Sequence, residues 1–390
     1  MRFFVISLVV LALSLCAAPV PKEVAANTPT AVDTSAMQGV RSQTITLRAV
    51  GDVLLGSYTP QRMIPADSGR TFVRNMAQYL GAADSLGARA DRTETDIVFG
   101  NFEAAFAREN DSTMQPQKCS EASRRKGICY EFGVPPHLAP VLKQLGFTVM
   151  SVDNNHADDY GVAAAEFTKQ MLTEQGVKPA PKRGYALLNA GGVPVAVVAF
   201  GFSNTSWNIA DVEAARRLVA KLKRELREGA DSVRHIIVSF HGGAEGKKAT
   251  HVTGATEMFV GENRGNVRAF ARACVDAGAS MVIGHGPHVL RAMEVYNGKL
   301  IAYSLGNFLT YGNINVSGIS GVTCVLEASF DAASGDFLTG RVIPVVQRAP
   351  GIPVFDSTKQ SITLLQTLMH EDFPQGALEL DNDGLLRVKK

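Results

Sequence analysis

Residues 281–290 read MVIGHGPHVL: an apolar run stops on a glycine, and two histidines, His285 and His288, follow around Gly286 and Pro287. A short run of β-branched and aliphatic residues bounded by glycine reads as a buried strand. Here the polar chemistry begins where that strand ends. The same order recurs along the chain. TITLRAV (44–50) leads to Asp52, and TDIVFG (95–100) to Asn101 and Glu103. FTVMSV (147–152) leads to Asn154, Asn155, His156 and Asp159, and HIIVSF (235–240) to His241 and Glu245. PVAVVAFGF (194–202) and LIAYSLG (300–306) add two more strands, the second ending at Asn307.

Helical patterns separate these runs: PPHLAPVLKQLG (135–146), AAAEFTKQMLTEQG (163–176), DVEAARRLVAKLKRELREG (211–229) and NVRAFARACVDAG (266–278). Each stops at a glycine, and the third opens on an acidic cap. Strand–helix alternation predicts an α/β domain with covering helices. Residues 321–346 break the alternation with two strands around Ser334–Gly335, a hairpin added to the sheets, and 356–370 predict a last helix. The expected organisation is a leader at 1–26, a polar tether at 27–45, one domain over 46–350 and a C-terminal extension at 351–390.

The 390 residues are 46% hydrophobic and 19% charged with a formal charge of +2, ordinary for a soluble domain with a core. No basic stripe with interleaved aromatics is present, so nucleic acid is not an expected partner. Arg2, the apolar run 3–15 and small residues after it read as a secretion signal, too short for the about 20 residues of a membrane span. Cleavage to a soluble protein and a lipid anchor through Cys16 are both open. Either places the chain outside the cytoplasm: periplasmic, at the cell surface or lipid-anchored. Export permits disulfides. Cys119 and Cys129 bracket a short polar segment that either closes as a loop or keeps free thiols, and Cys274 and Cys324 read as buried thiols.

In open α/β sheets ligands bind at the carboxyl ends of strands, where loops meet on a rigid scaffold. Four of the eight histidines occupy such positions. Imidazole, carboxylate and amide oxygen together suit zinc, manganese or iron. Without a cation, converging acids and imidazoles suffer mutual charge and desolvation costs. With one, water becomes a nucleophile near neutral pH.

The segments GDVLLG, GNFEAAF, FGVPPHLAPVLKQLGFTVMSVDNNHADDYG, HGGAEG and GHGPHVLRAMEVYNGKLIAYSLGNFL all lie within residues 46–312. In these the chain resembles the poly-gamma-glutamate capsule synthesis family, CapA, which is similar in turn to calcineurin-like metallophosphoesterases. The resemblance implies a four-layer α-β-β-α sandwich with one or two divalent metals at one end. Asp52, Glu103, Asn155, His241, His285 and His288 take the ligand positions. His156 takes that of the general acid, with Asp159 orienting it, and Asn101, Glu245, Arg291 and Asn307 are the expected substrate contacts. It further implies an anionic capsular or cell-envelope polymer as partner and either hydrolysis of a phosphoester or amide or non-catalytic polymer binding. Departures accompany it. Leu54 replaces the histidine usual two residues after the first aspartate, and Glu103 replaces the bridging aspartate. Gly242 and Gly246 stand where aromatics are usual, Gly286 where a further histidine is, and Arg291 where a glutamine is. These predict a more open pocket, with Arg291 either meeting an anion or forming a surface salt bridge.

Overall fold

The computed structural model describes residues 44–81, 96–127 and 129–389. The leader at 1–26, Cys16 and residues 27–43 of the tether lie outside them, while Thr44 and Ile45 already belong to the first strand. All seven apolar runs are strands: Thr44–Leu54, Ile97–Phe102, Val149–Ser151, Val193–Phe200, His235–His241, Met281–His285 and Lys299–Ala302. They divide between two sheets. In the first, Thr44–Leu54 is central, parallel to Ile97–Phe102 and antiparallel to Val322–Asp331 of the hairpin. In the second, Val193–Phe200, His235–His241, Met281–His285 and Lys299–Ala302 run parallel as neighbours, with antiparallel strands at both edges.

Alternation along each strand decides which face meets which layer. Ile45, Leu47, Ala49, Ile97 and Phe99 share one apolar cluster with Val195, Ile237 and Ile283 of the second sheet, so the sheets face each other. Val50, Val53 and Val98 point the other way, into a second cluster with Phe72, Leu142 and Phe167. Those three belong to α1 (Arg70–Leu80), to α3 (Pro140–Leu145, following the short α2, Glu121–Arg125) and to α4 (Gly161–Glu174). Val195, Ala196, Val197 and Val198 are all fully buried, as both faces of a parallel strand must be. On that sheet pack α5 (Val212–Glu228) and α6 (Val267–Asp276), whose Val219 and Phe270 join its cluster. Asp211 and Asn266 cap them by accepting from the amides of Ala214 and Ala269. The layers are helix, sheet, sheet, helix.

Three features differ from expectation. Pro140 lacks an N–H, so the helix expected at 135–146 divides into a 3-10 turn at Pro136–Leu138 and α3. Of residues 351–390, expected as an extension, the described part, 351–389, is woven into the first sheet. Ile352–Phe355 and Leu385–Val388 both pair with Phe337–Arg348, and α7 (Gln360–Asp372) buries Ile362 and Leu365 against the hairpin core. The helix α1 lay outside the sequence reading altogether. Cys119 and Cys129 form a disulfide, while Cys274 and Cys324 are buried thiols whose pKa burial raises.

Candidate metal centre

The sequence builds the centre by forcing strand ends together. Asp52 sits where the register of its strand slips, between Ala49 and Asp52 on one side and between Asp52 and Val53 on the other. Such a bulge re-aims a side chain. Gly51 makes it possible, because a Cβ there would lie 1.8 Å from the Gly306 carbonyl oxygen. The Asp52 amide donates to that same oxygen at 2.9 Å. His241 and His285 are the last residues of adjacent parallel strands and are register partners. After His285 the chain turns back through Gly286 at φ +113 and Pro287, and His288 adopts φ +57. The turn returns His288 to the acids: its Nδ1 is 3.1 Å from Asp52 Oδ2 and its Nε2 3.5 Å from Glu103 Oε1.

Asp52, Glu103 and His288 each offer a donor atom within 4.8 Å of the others, the spacing of groups able to share a cation. His285 Nδ1 lies 3.4 Å from Asp52 Oδ1, and His241 Nε2 lies 3.8 Å from Glu103 Oε1. Both Glu103 oxygens, Asn155 Oδ1, His241 Nε2 and both ring nitrogens of His285 are buried without a hydrogen-bond partner. Buried polar atoms are normally satisfied, so this concentration of orphans calls for a missing partner. Each of these six atoms is of a metal-ligating type, and the donor set fits a divalent cation. Asp52, Glu103, Asn155, His241, His285 and His288 are the residues that would hold it.

The electrostatics point the same way. Burial pushes the Asp52 carboxyl up, but His285 and His288 beside it outweigh burial and hold it well below the usual range. Burial and the neighbouring Asp52 charge drive Glu103 well above it. Burial pushes His241 well down, whereas at His288 the attraction of Glu103 and Asp52 overcomes burial and raises it well above the ordinary value. Two acids so close cannot both ionise freely unless a cation compensates them.

Beside the ligand set stands His156, 7% exposed. Its Nδ1 is 2.6 Å from Asp159 Oδ2, an oxygen that also accepts from the Phe132 amide at 2.8 Å. Facing a carboxylate, Nδ1 carries the proton, which leaves Nε2 as the working nitrogen. Burial lowers the His156 pKa despite Asp159. The Phe132 ring packs against the His156 ring, tilted by 39° at 4.4 Å between ring centroids, and Lys118 Nζ bonds the Asn155 carbonyl at 2.8 Å and lies 3.5 Å from Asp159 Oδ1.

The expected substrate contacts divide. Asn101 is buried and donates to Asp52 Oδ1 at 2.9 Å; Asn154 bonds Asn101 Oδ1 in turn. Asn307 is buried with its Oδ1 2.9 Å from His288 Nδ1. Both amides hold candidate metal-binding side chains. Only Glu245 reaches open space, lining a cavity while gripping Arg264 at 2.9 Å. Arg291 forms a salt bridge, but a buried one and not one at the surface. It is fully buried, its guanidinium taken up by Glu257 at 2.7 Å and by the carbonyls of Ala244 and Ala249. It ties down the loop after His241. The sequence reading missed Arg264, buried between Phe202 at 3.9 Å and Phe259 at 5.3 Å, and missed Lys118; neither directly follows one of the apolar runs. Two of the glycine substitutions behave differently. A side chain at Gly246 would enter open space, whereas one at Gly242 would strike Ile209 Cδ1 at 1.9 Å. Leu54 is buried in the cluster under α1 and α3 and offers the centre nothing.

The family model described as "Bacterial capsule synthesis protein PGA_cap" matches residues 46–311. That interval contains every strand end described above. The chain belongs to this capsule synthesis family. Among PGA_cap relatives, it is 29% identical over 282 residues to the PGA biosynthesis protein CapA of Bacillus subtilis, covering 67% of this chain and 62% of that protein. The capsule biosynthesis protein CapA of Bacillus anthracis is 27% identical over 287 residues, 69% of this chain and 60% of that one. The chain thus spans less than two thirds of the length of these two relatives. A probable polyglutamine synthesis accessory protein of Mycobacterium tuberculosis is 24% identical over 354 residues, 77% of this chain and 84% of its own. Among solved structures, a phosphatase from Mycoplasma pneumoniae is similar with a TM-score of 0.43 and 13% identity, covering 79% of this chain and 96% of that one. No helix among the described residues is long and apolar enough to cross a membrane.

Proposed function

We propose that this PGA_cap protein is an exported, metal-dependent hydrolase acting on an anionic capsular or cell-envelope polymer, poly-gamma-glutamate foremost. The relatives' names support the polymer, and the leader-like residues 1–26 support export. The observation that carries the chemistry is the cluster of buried, unpartnered ligand atoms on Glu103, Asn155, His241 and His285 beside an oriented His156. A divalent zinc, manganese or iron there, one or two per chain, supplies Lewis acidity and a lowered pKa for water. The chain's own residues do the rest. Asn101 and Asn307 fix the orientations of Asp52 and His288. Asp159 holds the His156 proton on Nδ1, and His156 Nε2 exchanges a proton with the leaving group of a phosphoester or amide.

A screen of phosphoesters and gamma-glutamyl amides with added manganese or zinc tests this. Turnover should appear in one class, and His156→Ala should lower kcat by about 10²–10⁴-fold with metal content unchanged. No turnover in either class with metal bound overturns the hydrolase. It would leave the second reading, a polymer-binding assembly or export factor, which the buried Leu54 in place of a ligand favours.

A further inference from the structure

Two cavities meet at the metal centre. One, of ≈1000 Å³, is lined by Asn155 and His156 and reaches Lys118 and Asn204 at its rim. The other, of ≈500 Å³, is lined by His288 and reaches Lys247 and Asn315. Glu245 and Phe259 line both. Because Glu245 Oε2 lies 3.9 Å from His288 Nε2, the shared wall adjoins the ligands themselves. Lys118, Asn204, Lys247 and Asn315 are all exposed, so each cavity opens to solvent. A site built to take a chain terminus closes behind it. Neither cavity does.

Charge follows the same line. In the larger cavity Lys182 is neutralised by Asp158, and Arg264 by Glu245 and Glu262. Lys118 pairs with Asp159 Oδ1 at 3.5 Å, but its side chain stays 37% exposed there. In the smaller cavity Lys247 Nζ reaches only the Ser317 hydroxyl, at 3.3 Å, and has no carboxylate partner among the described residues. One accessible ammonium therefore stands on each side of the centre. Phe259 divides the two arms from a two-stranded hairpin, Met258–Phe259 with Glu262–Asn263, whose tip residue Val260 is 82% exposed.

We infer that the two cavities form one through-groove. In it a linear polycarboxylate runs from Lys118 past the metal centre to Lys247, presenting an internal bond of the chain rather than an end. The placement of a scissile bond rests on the hydrolase reading above; the mode of binding does not.

The test uses poly-gamma-glutamate in three forms: a trimer, a long chain with free ends, and the same long chain blocked at both ends by bulky groups. Binding to the full chain is followed by fluorescence anisotropy, with and without manganese, and products of any cleavage are sized. The through-groove predicts that the blocked chain binds as tightly as the free one and that the trimer binds more weakly. Lys247→Ala, an exposed substitution with no fold to lose, should weaken the long chains roughly two- to fivefold and leave the trimer unchanged. Where cleavage occurs, the first products should be of middle length. Failure of the blocked chain to bind, or release of single residues from one end, overturns the inference and leaves a hydrolase standing. Equal affinity for trimer and long chain, or no binding of any form, overturns it as well. Tight binding of the blocked chain without cleavage upholds the groove and overturns the hydrolase.

Discussion

Gly51→Ala should damage the fold and the metal centre together. The added Cβ would lie 1.8 Å from the Gly306 carbonyl oxygen, where ordinary contact begins at 3.4 Å. Interiors are packed too tightly to absorb the roughly 1.5 Å of separation this demands. The overlap is backbone against backbone, so no rotamer change relieves it. Overpacking of this kind costs about 1–3 kcal/mol. Losing the bond from the Asp52 amide to Gly306, 2.9 Å long, strands a buried donor at about 1–3 kcal/mol more. The expected loss is about 2–6 kcal/mol, which in a domain of this size lowers Tm by roughly 3–8 °C. Because the displaced residue is the neighbour of Asp52, metal content should fall in the same variant. Gly176→Ala is the control: φ is +76 there, and nothing lies within 4 Å of the added atom. It should cost only the left-handed strain of about 1–2 kcal/mol and leave metal binding intact. Thermal melts and metal titration on the two variants decide the matter. A Gly51→Ala protein with unchanged Tm and unchanged metal affinity would refute the reasoning that close approach of these two glycines sets the site.

Two further outcomes are expected. Asn307→Ala removes the acceptor that fixes the Nδ1 proton of His288, so metal affinity, measured by competition with a chelator, should fall about 10- to 100-fold. Glu131 is paired with Arg124 and accepts from the amides of Lys118 and Cys119; burial raises its pKa, but these partners outweigh burial and lower it below the ordinary value. A carboxyl with a depressed folded pKa stabilises above its unfolded value of about 4.3 and loses that contribution as pH falls through the folded one. Melts across acidic pH should therefore show a loss of stability that Glu131→Gln flattens.

The strands and their catalytic-looking ends were legible because both signals are local. A run of Val and Ile announces burial, and the residue after it is at the end of a strand whatever the tertiary fold. MVIGH, HIIVSFH and IVFGNF carry that information whole. What escaped was long-range or lacked punctuation. Arg291 could not be assigned from its neighbours, because its partner Glu257 lies 34 residues away in a loop with no strand signal. Asn101 and Asn307 looked like substrate contacts because sequence shows that an amide is near the centre and not which way it faces. Helix α1 has Phe72, Met76 and Leu80 on one face, but Gly69 at φ +81 precedes it and supplies no side-chain cap. The strands Leu378–Leu380 and Leu385–Val388 are too short to show alternation, so the tail read as an extension.

The most direct test is elemental analysis of the purified chain after exposure to zinc, manganese or iron. The account predicts one or two metal ions per chain in the unaltered protein, and a clear loss in Asp52→Ala and His285→Ala variants that still melt cooperatively. No metal in the unaltered protein, or equal metal in both variants, would contradict it.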